Sequence, residues 1–189
     1  MGRISSTATV IKLQQGRLIS PEIWRTLPRV KGYIDTTLYH INRKIMELLE
    51  LENDVQAFGF QVKSFPEGVP EAFDALIAMV PEGLGRSYYG ISYMDDQDKV
   101  VYIAAVEERN DGEAEKNNCK RYTLERGKYA AVTLKDWRQK TCTIKDIFHE
   151  MMDAPHIDHT KPCIEWYKND DEMLCMLKVN LHELSESSN

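Results

Sequence analysis

Residues 161–181 read KPCIEWYKNDDEMLCMLKVNL. Val, Ile, Leu, Met and Cys interleave along two arms around the polar tip Asn169, Asp170 and Asp171, which is the pattern of a β-hairpin. A plain hairpin leaves Glu165 unexplained. It stands mid-strand between Ile164 and Trp166, two residues before Tyr167. An unpaired carboxylate is expensive to bury, so the surroundings of Glu165 decide how this hairpin is used.

Upstream, the same kind of hairpin occurs as RSYYGISYM and KVVYIAAVEE, joined by the turn DDQD. Before it come a strand, VQAFGFQVKSF, and a helix, GVPEAFDALIAMVPEG, opened by Pro70 and ended by Pro81 and Gly83. Phe73, Leu76, Ile77 and Val80 give that helix an i, i+3, i+4, i+7 buried face. After the polar loop RNDGEAEKNN at 109–118 the order recurs. KRYTLERGKYAAVTL is a strand region interrupted at Gly127. TIKDIFHEMM is a helix with Thr143 as N-cap and an apolar face of Ile144, Ile147, Phe148, Met151 and Met152. The helices match at an offset of 75 residues (Phe73 with Phe148, Leu76 with Met151), and the hairpins at 74 (Tyr93 with Tyr167, Asp96 with Asp170).

This pattern predicts an α+β fold of two strand–helix–strand–strand units, about 55–108 and 119–181, related by a pseudo-twofold axis. The sheet should be largely antiparallel, with its helices on one face and a cleft between the repeats. Residues 1–54 read as a mainly helical extension outside that domain, which spans 55–182. Ser20–Pro21 marks a helix start. A second helix is expected from Asp35, with Leu38, Ile41, Ile45, Leu48 and Leu49 as its apolar stripe. Residues 183–189, ELSESSN, read as a disordered tail.

The chain has 189 residues, of which 42% are hydrophobic and 29% charged, an ordinary globular composition. A net charge of −6 argues against nucleic acid as a direct partner, since phosphate binding needs a basic surface. The first 54 residues hold eight Lys/Arg against six Asp/Glu and no basic recognition helix. Cys119, Cys142, Cys163 and Cys175 form no C-x-x-C, and no apolar run approaches the roughly 18 residues of a membrane span. A cytoplasmic protein without membrane attachment is expected. The opening MGRISS does match a myristoylation pattern, but one short enough to recur by chance. His149, His156 and His159 lie near Glu150 and Asp158 without the H-E-x-x-H spacing, and Pro155 interrupts any helix that would align them. No metal and no cofactor is expected. Neither a nucleophile elbow nor a glycine-rich phosphate loop occurs.

Strand alternation puts Cys163, Glu165 and Tyr167 on one face, and Ile164 and Trp166 on the other. By the 74-residue offset, Ile91 and Tyr93 take the places of Glu165 and Tyr167 in the first hairpin, with Tyr89 on their face. Tyr102, in the neighbouring strand, and Trp137, after the fourth strand, are further candidate walls. Two placements of Glu165 satisfy its charge. One is an ion pair with Lys or Arg on an exposed sheet face. The other is a cleft shared with a cationic aromatic ligand, where ring faces add roughly 0.5–2 kcal/mol and the carboxylate's charge is less screened by water.

The order and spacing of YYGISYMDD, GKYAAV and IEWY, closed by LCMLKV, resemble the gyrase-inhibitor-like (GyrI-like) family. The same module forms the effector-binding domain of AraC-type and MerR-type multidrug regulators, and the resemblance covers about residues 55–181. It implies a cleft open to flat, often cationic aromatic compounds, with the glutamate of the IEWY strand facing it. Without a recognisable DNA-binding domain, this chain resembles a stand-alone binding module for drug sequestration or effector sensing. Its implied ligand-binding set is Glu165, Tyr167, Tyr93, Tyr89, Ile91, Tyr102 and Trp137. Two alternatives accompany that reading. Some members of the family hydrolyse cyclopropane-bearing DNA-alkylating compounds, which would make Glu165 a general base and Tyr93 or Tyr167 a carbonyl polariser. Others modulate gyrase through protein–protein contact.

Overall fold

Short connections dictate the shape of the sheet. The computed structural model describes residues 16–19, 40–41, 44–81, 83–154 and 156–180. Its strands are β1 (Gly16–Ile19), β2 (His40–Ile41), β3 (Lys44–Leu51), β4 (Val55–Gln61), β5 (Tyr88–Met94), β6 (Val100–Glu107), β7 (Lys120–Leu124), β8 (Gly127–Lys135), β9 (Cys163–Tyr167) and β10 (Glu172–Lys178). The α-helices are α1 (Val69–Met79), α2 (Glu113–Lys116) and α3 (Ile144–Met152). The strands form one antiparallel sheet in the order β1-β3-β8-β10-β9-β5-β6-β4-β7, with β2 beside β3. Only residues 52–54 join β3 to β4, and only 125–126 join β7 to β8, although each pair spans opposite halves of that order. A chain advances at most about 3.6 Å per residue, so the sheet has to curl until its halves approach. The backbone N–H of Arg126 donates to Asp54 Oδ1 at 2.7 Å and ties the two connections together.

The fold is α+β, as the hairpin pattern predicts. The segments β4-α1-β5-β6 and β8-α3-β9-β10 follow the same element order, and their strands occupy mirrored places on either side of the β5–β9 ladder. Both long helices lie on one face. Leu76 and Val80 of α1 pack with Phe58, Tyr102, Ala104 and Val106. Ile147, Phe148 and Met151 of α3 pack with Val132, Leu134, Met173 and Cys175. The opposite face is a continuous apolar layer, including Leu49, Tyr89, Ile91, Ile103, Ile164, Trp166 and Met176.

One predicted element is replaced. The helical stripe ending in Ile45, Leu48 and Leu49 is, over 44–51, strand β3, paired with β8 from Met46↔Val132 to Leu51↔Gly127. Leu48 packs under α3 and Leu49 packs on the opposite face, both fully buried. A strand buried on both faces is a continuous apolar run, and periodicity cannot separate that from a buried helix. The domain boundary at 55 is corrected with it, because the sheet already includes β3. The expected helix starts at Ser20 and Asp35 and the tail 183–189 fall outside the described residues. No described helix is long and apolar enough to cross a membrane.

Candidate functional site

The β5–β9 ladder pairs Tyr88↔Tyr167, Gly90↔Glu165 and Ser92↔Cys163, and residues paired in this way share a face. Glu165 therefore rises on the helical face, on the floor between α1 and α3. It is 8% exposed. The adjacent Tyr167 packs against the clusters under both helices, which marks this seam as the meeting point of the two halves.

One carboxylate oxygen carries the local network. Tyr102 Oη donates to Glu165 Oε2 at 2.7 Å, Tyr167 Oη donates to the same oxygen, and the two hydroxyls lie 3.1 Å apart. Among the described residues, no Lys, Arg or His forms an ion pair with Glu165. Burial pushes its carboxyl above the usual range, against the downward pull of the Tyr167 and Tyr102 hydrogen bonds. Both phenols are pushed well above 10, by burial first and then by the Glu165 charge. Cys163, on the same face, is pushed up to about 11 by burial and by Glu165.

Gly90 makes this arrangement sterically possible. A Cβ at position 90 would stand 2.1 Å from Tyr102 Oη and 3.0 Å from Glu165 Oε2. The Tyr102 ring reaches the carboxylate only because its strand neighbour has no side chain. Aromatic rings enclose the carboxylate. Phe65 stacks on Tyr102 (centroids 5.0 Å, 20° between planes), Phe73 meets Tyr167 edge-on at 5.0 Å, and Trp137 meets the same ring at 4.8 Å. The cleft around them measures about 1500 Å³.

The structure thus brings Glu165, Tyr167, Tyr102 and Trp137 together. It places the other three predicted residues differently. Tyr89, Ile91 and Tyr93 project from the opposite face of β5, Tyr89 and Ile91 within the apolar layer there. Tyr89 does not line the cleft. Ile91 and Tyr93 do, from that opposite face. The reason for the correction is register. Matching Tyr93 with Tyr167 gives an even offset of 74, whereas the ladders close Met94 on Val100 and Tyr167 on Met173, an offset of 73. One residue of slip exchanges the faces of a strand. Sequence reasoning also missed Phe65, Phe73 and Phe148 as lining and Gly90 as a spacer. A glycine inside an otherwise β-rich strand was the available sign.

No family model matches this chain, and neither does any curated protein. Solved structures do. An integron cassette protein from the mobile metagenome of Vibrio cholerae superposes with a TM-score of 0.53 at 17% identity, covering 71% of this chain and 95% of that one. SAV2435, solved bound to tetraphenylphosphonium, gives a TM-score of 0.51 at 15% identity, covering 76% of this chain and 99% of that one. At these identities the likeness shows a shared fold.

Proposed function

We propose that this chain is a GyrI-like protein that binds small, hydrophobic, cationic aromatic compounds in the cleft between its two similar halves, for sequestration or effector sensing. The observation that carries this reading is Glu165. It is a buried carboxylate hydrogen-bonded only to neutral phenols among the described residues, on the floor of an aromatic cleft. A ligand cation supplies the opposite charge that the surrounding side chains do not, and Trp137, Phe73 and Tyr167 supply ring surface for its body. That a protein of the same fold was solved with tetraphenylphosphonium supports the same ligand class here.

The test compares two ions of matched shape and opposite charge. Calorimetric titration with tetraphenylphosphonium and tetraphenylborate should give at least tenfold tighter binding of the cation, and Glu165→Gln should erase that preference. Equal binding of both ions by the wild type, or a preference that survives Glu165→Gln, defeats the reading. A hydrolytic role is favoured by the two phenols on one carboxylate oxygen, since Glu165 could then activate water beside a hydroxyl donor. Incubation with a cyclopropane-bearing electrophile separates the two. Product formation lost in Glu165→Gln supports the enzyme, and tight cation binding without turnover supports the binder.

A further inference from the structure

The cavity that holds Glu165 is not confined to the helical face of the sheet. Ser92, Tyr93 and Met94 all line it. Successive strand residues point to opposite faces, so a cavity that touches all three reaches both sides of β5. The ladder permits this. Its last β5–β9 pair is Ser92↔Cys163, and beyond it Tyr93 and Met94 have β6 on one side and no ladder partner on the other. Lys161 and Pro162, just before β9, line the cavity too.

The part on the opposite face has its own chemistry. Its lining includes Ile91 and Tyr93 of β5, Ile103 of β6 and Tyr122 of β7. Ile91 pairs with Ile103, Tyr93 with Val101, and Tyr122 with Ala57, so all four belong to the apolar layer away from the helices. β6 and β4 stand between β5 and β7 in the sheet order, which in a flat sheet would hold Tyr93 and Tyr122 roughly 14 Å apart at ~4.8 Å per strand. The curl brings them closer. The Tyr122 phenol is pushed up first by burial and then by Tyr93, which places the two rings within electrostatic reach of each other. Tyr93 is 47% exposed and Tyr122 half-buried, so both rings border open space. No hydrogen bond to another described residue engages either hydroxyl.

None of these four residues carries a charge, and the ammonium of Lys161 is committed to Glu125 at 2.6 Å. An ion lodged on this face would be desolvated without a partner, a cost that a neutral compound escapes. An aliphatic floor, two ring walls and two free hydroxyl donors match a flat apolar body bearing an acceptor.

We propose that the opposite face of the sheet holds a second binding site, between Tyr93 and Tyr122 over Ile91 and Ile103, for neutral planar aromatic compounds that carry a hydrogen-bond acceptor. The rings of the two tyrosines flank the aromatic body, and their hydroxyls donate to its acceptor. The site does not depend on Glu165, whose carboxylate stands on the helical face.

The test uses prodan, a neutral naphthalene fluorophore with a ketone, whose emission moves to the blue in an apolar site. Titrated into the full chain, it should bind at a single saturable site, with an affinity unchanged by saturating tetraphenylphosphonium and by Glu165→Gln. Tyr93→Ala, at an exposed position that leaves the core intact, should weaken it about tenfold, the scale of a lost aromatic contact. Tyr93→Phe and Tyr122→Phe should each weaken it about threefold through one lost donor. Absence of saturable binding, competitive displacement by tetraphenylphosphonium, or an affinity untouched by Tyr93→Ala overturns the second site. Weakening by Glu165→Gln without weakening by Tyr93→Ala returns the fluorophore to the helical face and overturns it likewise. If tetraphenylphosphonium itself does not bind, the reading of Glu165 fails, and the Tyr93 and Tyr122 variants still judge this site.

Discussion

Two buried charges in this molecule are held in opposite ways. The Arg86 side chain is 0% exposed, and its guanidinium grips Glu113 through two hydrogen bonds of 2.7 Å while donating to the Glu107 carbonyl at 3.1 Å. Glu113 answers with a carboxyl held well below the usual range, first by Arg86 and further by Arg109 and Asn110. Glu165 is also buried, yet among the described residues its carboxylate accepts hydrogen bonds only from phenols, and burial pushes its carboxyl up. Arg86 is satisfied within the fold. Glu165 lacks an opposite charge among the described residues, and that difference separates a structural ion pair from the carboxylate on which the proposed function rests.

The comparison breaks first at Arg86. Arg86→Ala removes the cation from a buried pair and should cost about 3–5 kcal/mol of unfolding free energy by chemical denaturation. A cost below about 1 kcal/mol would mean that the pair is not structural. Gly90→Ala comes next. Its new Cβ collides with Tyr102 Oη, so the ring must leave Glu165, at a cost of about 1–3 kcal/mol from overpacking. Tetraphenylphosphonium affinity, read in parallel, should fall with it.

Glu165→Gln should act in the opposite direction to Arg86→Ala and stabilise the ligand-free protein near neutral pH, by about 1 kcal/mol on the scale of a stabilising point change. The sign follows from linkage. A folded-state carboxyl pKa above the unfolded value of ~4.3 keeps a proton that the unfolded chain has released, so stability falls as pH rises through that window. Glu113 has the reverse sign, its contribution present above ~4.3 and lost as pH falls below it. Melting temperature against pH should thus show a gain in Glu165→Gln that vanishes near pH 4, while the wild-type loss in acid remains. Binding a cation favours ionised Glu165, so affinity should climb with pH over the same window. The smallest expected effect is that of Tyr102→Phe. Loss of one hydroxyl donor costs about 0.5–1.5 kcal/mol and raises the Glu165 pKa further, shifting the pH dependence of cation binding upward.

Much of this was legible in the residues. The two hairpins, both long helices and the anomaly of Glu165 follow from alternation, helical spacing and the cost of a buried charge. β3 was not, because Leu48 and Leu49 are buried on opposite faces and a run apolar on both sides has no period to read. Nor was the face of β5, because aligning similar residues, Tyr93 on Tyr167, fixes an offset from chemistry, whereas hydrogen bonding fixes it from the turn. Tyr102 meets Glu165 across 63 positions of chain. It was a candidate as a neighbouring strand's aromatic, but its bond to Glu165 depends on the vacancy over Gly90.

The ladder from Tyr88↔Tyr167 to Ser92↔Cys163 is where the two mirrored sets of strands join. Glu165 and Gly90 are partners within it, so the proposed binding groups and the seam between the mirrored strands share the same backbone. A ligand lodged above that line, touching Phe73 on one helix and Phe148 on the other, acts as a rivet across the halves. Its arrival should be recorded in slowed amide exchange along 88–92 and 163–167, away from every side chain it contacts on the helices.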